Sequence, residues 1–290
     1  MKKKSKLTPF VLLVPYITLL VFFLVGLTDG ILQGFGYIPA FQMDRFTLEY
    51  FKLALADPNV LSGIGISLYV ALVSASAAVV LAVLLCFIQV TLKKEHGFLS
   101  AILRIPLYIP WVVTGFMMIL LLSGGGWLAR LFSTLGLDPL AQATANILHS
   151  PGQTGIIFAF IWASTPFACF LIQTVMSAVT DTLGEAAANL GAGLWHRFWN
   201  VTLPLCLPVI RSTFLIVLVS TFGCYEIPAL LGMTLPRALP VEIFYHYSQF
   251  DPSHRPFAMA LNTIMLIIVL TMVGGLHLLG RIGQKAGLKA

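Results

Sequence analysis

One carboxylate in this chain sits where charge is expensive. Glu226 lies inside an apolar run, with Tyr225 beside it and Pro228 two residues on. Hydrocarbon does not solvate a charge, so an acid in a bilayer span faces a cavity or a partner. Pro228 also leaves a backbone carbonyl without its helical donor, which bends a helix there. Two readings stand for Tyr225 and Glu226: contacts to a cationic solute in a transport path, or structural groups bonded to a neighbouring helix. Catalytic chemistry finds no such foothold. His149, His246 and His254 lack the spacing of a zinc site. Cys86, Cys169, Cys206 and Cys224 form no CxxC pair and read as small hydrophobes. There is no Ser/His/Asp order, HExxH or nucleophile elbow. No GxxxxGK[ST] loop is present to cradle a nucleotide phosphate.

A second group of residues is suited to mechanics. Between two long apolar segments lies a short insert, Asp181 to Pro204. Thr182 and Glu185 have capping-box spacing, which predicts a helix starting at Thr182. Ala186, Ala187, Ala188 and Leu190 continue it with strong helix formers. Gly191 and Gly193 then permit a turn. Trp195, Phe198 and Trp199 can pack the insert back against the spans. Pro204 suits the first turn of the next helix. An alanine surface lets another protein's groove come close, and Glu185 offers that partner a charge at the rim.

The elements that must position these residues span a membrane. The chain has 290 residues, 58% of them hydrophobic and only 10% charged. Soluble domains carry about 25% charged residues. The net charge of +6 is spread over short loops, not gathered in a stripe or tail, which argues against nucleic acid as a partner. Six segments reach the length of roughly 20 apolar residues that a span needs. They run from Pro9 to Leu32, Leu61 to Val90, Ile102 to Leu122, Gly155 to Val179, Leu205 to Leu231 and Phe257 to Leu279. The first is too long for a signal peptide and lacks a cleavage site, so it reads as an uncleaved helix. The expected fold class is all-α, a polytopic membrane protein with residues 1–290 forming one transmembrane domain and with a helical insert on its inner side. Basic residues orient it. Lys2, Lys3, Lys4, Lys6, Lys93, Lys94, Arg104, Arg197, Arg211, Arg281, Lys285 and Lys289 fall on one side. Arg45, Lys52, Arg130, Arg237 and Arg255 fall on the other. The richer side is expected to be cytoplasmic, with both termini inside. Two outer connections should carry short helices, around Thr47 to Leu55 and Val241 to Gln249. Pro106, Pro110 and Pro166 are expected to bend spans three and four near Trp111 and Trp162. Gln173 and Asn262 read as helix-joining polar groups.

The insert resembles a known signature. Glu185, Ala186, Ala187, Gly191, Val201, Leu203 and Pro204 match EAA-x3-G-x9-[IV]-x-LP of the inner-membrane permease subunits of binding-protein-dependent ABC importers. The resemblance covers about residues 61–281 and places Leu190 in the same coupling segment. Phe222 to Gly232 and Pro236 to Val241 look most like the polyamine-type branch, whose members carry spermidine and putrescine, with relatives for thiamine, phosphonates or ferric iron. Sugar permeases share the general plan. The resemblance implies three protein partners: a cytoplasmic ABC ATPase dimer, a second permease subunit (a sister chain sooner than an identical one) and a periplasmic solute-binding protein. It implies a bacterial inner-membrane location, with no cofactor in this chain, since ATP and Mg bind the ATPase. A secondary transporter would show an inverted repeat and paired broken helices. A channel would show a selectivity filter. Neither pattern is found.

Overall fold

A computed structural model describes residues 8–91, 98–148 and 150–287. The lysines of the charged N-terminal stretch, Lys93, Lys94, His149 and Lys289 lie outside the described residues, as do the side chains of Arg281 and Lys285. The long helices are α1 (Thr8–Gly34), α3 (Pro58–Thr91), α8 (Thr154–Val179), α11 (Leu203–Phe222) and α14 (Arg255–Gly287). Shorter ones are α2 (Glu49–Ala56), α4 (Phe98–Arg104), α5 (Trp111–Leu122), α6 (Trp127–Thr134), α7 (Asp138–Ile147), α9 (Glu185–Asn189), α10 (Leu194–Arg197), α12 (Glu226–Leu231) and α13 (Leu239–Tyr247). A two-residue hairpin pairs β1 (Tyr37–Ile38) with β2 (Met43–Asp44), antiparallel. Among the described residues six helical segments are long and apolar enough to cross a membrane, as the hydropathy requires. The all-α, six-span reading therefore holds.

Three local expectations change. The third span is not one helix from Ile102. Pro106 sits in a 3-10 turn and Pro110 precedes α5, so the prolines break the helix instead of bending it. A proline lacks the N–H that would continue the ladder, and it pushes the residue before it out of helical geometry. The apolar stretch that remains covers Trp111–Thr134, but α5 ends at Leu122 and a turn at Ser123–Gly126 precedes α6. The connection after Ser123 is thus largely helical, in α6 and α7, where only a loop is legible. The fifth span ends at Phe222. Gly223 to Tyr225 separate it from α12, so Glu226 opens a short helix and does not sit inside a long one. Pro166, by contrast, lies within an uninterrupted α8. The two short helices expected in the connections are present as α2 and α13.

The chain divides into two compact units, Met1–Leu61 with Glu242–Leu270, and Ser62–Val241 with Thr271–Ala290. In the first, α1 meets α14 where Gly34 has no side chain. A Cβ there would stand 3.1 Å from Met259 O. Gln33 Nε2 donates to Asp29 Oδ2 at 2.6 Å, and Arg255 Nε donates to Gln33 Oε1 at 3.2 Å. The Arg255 guanidinium also lies 5.1 Å from the Tyr247 ring centroid, so its charge is shared among polar and aromatic neighbours.

In the second unit, α3 and α8 pack through small residues. Ala71, Ala75, Ala78, Ala82 and Cys86 are fully buried along α3. Cys86 Sγ donates to Cys169 O at 3.5 Å, and Cys169 Sγ donates to Ala82 O at 3.7 Å. Lipid tails are as apolar as leucine, so spans associate by close backbone approach and small side chains supply it. The main core gathers Met118, Ile156, Phe160, Ile227 and Leu231. Trp111 meets Phe160 edge-on at 5.6 Å. Gly115 of α5 receives Leu230 of α12. A Cβ at Gly115 would fall 2.6 Å from Leu230 Cδ1.

Candidate functional site: the insert between two spans

The insert is continuous with α8. After Val179 the chain makes a π-helical turn, Thr180–Gly184, and passes into α9 without a cap. The capping box predicted at Thr182 is not formed. Thr182 Oγ1 donates backwards to Ala178 O at 2.8 Å, the alternative open to a threonine inside a helix. The helix proper begins at Glu185, not Thr182.

Its end is specified by Gly191. Gly191 adopts φ +86°, and its N–H donates to Ala188 O at 2.9 Å. The Ala192 N–H donates to Ala187 O at 3.0 Å. Together these form a Schellman closure, which satisfies carbonyls that a helix end leaves orphaned. Any L side chain at Gly191 would pay about 1–2 kcal/mol for the left-handed backbone.

One side of the insert is held to the bundle. Phe198 is 4% exposed. Its ring lies 4.3 Å from the Phe87 ring of α3, and Trp195 lies 5.6 Å from the Phe87 ring as well. The expected aromatic anchor therefore exists, with Phe198 as its buried member; Trp199 contacts Phe198 at 5.4 Å but stays exposed. Arg197 Nη1 donates to Gly184 O at 3.3 Å across the turn. A small cavity of about 90 Å³ remains here, walled by Phe87, Gly184, Glu185, Arg197 and Phe198 among others. Sequence reasoning missed Phe87 and Arg197 as holders of the insert. No local pattern marks them, because both contacts join residues distant in the chain.

The other side is bare. Ala186 is exposed, Ala187 and Ala188 are half-buried, and Leu190 is 90% exposed. A large apolar side chain fully in the open at the end of an alanine helix makes a small apolar boss. Val201 is half-buried in a second π-helical turn, Phe198–Thr202. Leu203 and Pro204 open α11, but the π-helical turn before them runs straight into it, so Pro204, which has no N–H to give, sits at the junction of the two. The signature residues thus fall into two groups: Glu185 to Gly191 shape the exposed helix, and Val201 to Pro204 restart the span.

Tyr225 and Glu226 lie elsewhere in the same unit, at the start of α12. Both are half-buried. Cys224 Sγ donates to Glu226 Oε2 at 3.3 Å. Pro228 is in the first turn of α12, so it costs no hydrogen bond and produces the expected distortion only as the break that precedes it. Its carbonyl is taken by Gly232 N–H at 2.9 Å. Among the described residues no group of three or more His, Cys, Asp or Glu side chains is placed to hold a metal.

Six apolar helices with a closed, small-faced insert before the fifth define a transport subunit of the membrane. The chain belongs to the family of binding-protein-dependent transport system inner membrane components, whose model matches residues 93–281. It is 24% identical over 245 residues to a probable sulfate transport system permease protein of Chlorokybus atmophyticus, covering 83% of this chain and 81% of that one. It is 26% identical over 164 residues to a molybdenum transport system permease protein of Azotobacter vinelandii, covering 56% and 69%. Its fold is that of a chain from a bacterial ABC transporter involved in import of the acidic polysaccharide alginate, with TM-score 0.77, 19% identity and 94% of each chain covered. The resemblance to ABC importer permeases is borne out. The polyamine-type branch is not: these curated relatives are named for sulfate and molybdenum.

Proposed function

We propose that the chain forms half of the solute path of an ATP-driven importer and that its insert is the coupling element. Glu185, Ala186, Ala187, Leu190 and Gly191 dock in a groove of a cytoplasmic ATPase, while Val201, Leu203 and Pro204 pass the motion into α11. The observation that carries this reading is the two-sided insert: clamped to α3 through Phe198 and Phe87, and open at Leu190. A helix meant only to rest against its own bundle would bury its large apolar residue. The ATPase dimer, bound on the cytoplasmic face, supplies ATP and Mg; this chain contributes no catalysis. A second permease subunit, a sister chain, completes the path, and a periplasmic binding protein delivers the solute.

For the solute, the names of the relatives support a small tetrahedral oxyanion. The polyamine reading comes from the likeness of Phe222 to Gly232 and Pro236 to Val241 to that branch, which the relatives' names do not support; the separate reading of Glu226 as a cation contact meets a carboxylate that accepts from Cys224. The test is uptake by cells expressing this chain together with a candidate partner ATPase and a periplasmic binding protein. Sulfate or molybdate accumulation that needs ATP supports the reading, whereas putrescine accumulation without oxyanion uptake restores the cationic one. No ATP-dependent uptake and no copurifying ATPase would remove the coupling proposal.

A further inference from the structure

A cavity in the second unit has no part in the insert. It measures about 650 Å³, within the roughly 300–1,000 Å³ usual for ligand pockets, and lies between α3, α11 and α14. Its wall is mostly aliphatic, but four side chains break the pattern: Arg211, His277, Ser76 and Ser212. No carboxylate is on the wall among the described residues. Arg211 stands eight residues into α11, roughly 12 Å from its start at 1.5 Å per residue. It therefore belongs to the end of the bundle that carries the insert. Its guanidinium reaches across to α14. A Cβ at Gly280 would stand 4.0 Å from Arg211 Nη1. His277 is one turn before Gly280 on the same helix, so both lie on the α14 wall. Ser212 spends its proton on Pro208 O at 3.0 Å.

Arg211 and His277 are both exposed on this open, largely aliphatic cavity, and a guanidinium with no acid opposite it among the described residues is stable there when an anion or water completes it. Its planar fork of N–H groups matches tetrahedral oxyanions, and an imidazole on the same side adds a further donor. We infer that Arg211 and His277 bind a tetrahedral oxyanion, either free sulfate or phosphate or the phosphate of a lipid headgroup entering from the membrane. The site is separate from the insert, and it stands whichever solute the transporter carries.

The test uses the full chain in nanodiscs, in two arms. One titrates radiolabelled sulfate into phosphatidylcholine discs. The other measures, by native mass spectrometry, the phosphatidylglycerol retained from discs of equal phosphatidylcholine and phosphatidylglycerol. At least one ligand binds the wild type, and Arg211→Gln weakens it roughly tenfold, the size expected for losing a charge-assisted hydrogen bond. Arg211→Lys retains part of the binding. Gly280→Leu, which fills the space beside the guanidinium and leaves the charge in place, reproduces the loss if Arg211→Gln does not fold. Signal in the sulfate arm identifies a free oxyanion; signal only in the lipid arm identifies a headgroup. Binding in neither arm, or binding that survives both Arg211→Gln and Gly280→Leu, overturns the inference. Because no ATPase is present, these outcomes are independent of the coupling reading.

Discussion

Phe87 and Phe198 lie with ring centroids 4.3 Å apart, and this contact ties the insert to the second span. Through it the insert touches α3 in addition to α8 and α11, with which it is continuous in the chain. Aromatic pairs of this kind contribute about 0.5–1.5 kcal/mol beyond the area they bury. Phe198→Ala should destabilise the detergent-purified chain by about 3 kcal/mol, the low end for a buried phenylalanine. A double-mutant cycle with Phe87→Ala, followed by thermal unfolding, should return a coupling of about 1 kcal/mol. Strict additivity would mean that the rings do not cooperate.

Gly191→Ala places a side chain on a backbone at φ +86°. The local cost of about 1–2 kcal/mol falls on the helix end and not on the spans. Membrane insertion should be normal while solute-stimulated ATP hydrolysis in liposomes falls about tenfold, the factor that 1.4 kcal/mol represents. Glu185→Gln should uncouple in the same way. Wild-type stimulation in both variants would count against the docking role.

Glu226→Gln addresses the path. The Glu226 carboxylate accepts from Cys224 Sγ and sits at the start of a six-residue helix. On the oxyanion reading, its neutralisation leaves uptake within about twofold of wild type, since surface-like changes of under 0.5 kcal/mol are usual where no contact is lost. Loss of uptake with normal ATPase stimulation would return the acid to the solute path.

Gly115→Val tests the core of the second unit. The new Cβ would fall 2.6 Å from Leu230 Cδ1, so the Leu230 side chain must shift to admit it. Overpacking of this kind costs about 1–3 kcal/mol, measured as thermal unfolding of the purified chain. Leu230→Ala in the same chain should restore part of the loss. No rescue would place the strain elsewhere.

Much of this was legible from residue order because it is local. Gly191 obeys a rule that involves only its immediate neighbours, and it sits where that rule puts it, at the closing turn of α9. Six apolar runs imply six spans for the same reason. Thr182 misled because its hydroxyl had two local options, the N-cap and the preceding carbonyl, and the helix already running through from α8 decided between them. The break at Gly223 to Tyr225 was hidden because hydropathy continues across it. The helices α6 and α7 were hidden by Gly124, Gly125 and Gly126, which read as a loop. Phe87, Arg197 and the Arg211–His277 cavity depend on residues far apart in the chain, which periodicity does not reveal.

The exposed end of the insert is the most direct place to test the account. A photoreactive amino acid at position 190, in cells that also make the ATPase and binding protein, reports what touches Leu190 in the membrane. The account predicts one crosslinked product containing the ATPase, its yield changing when ATP is trapped unhydrolysed. Crosslinks only to lipid, or to the binding protein on the outer face, would contradict it.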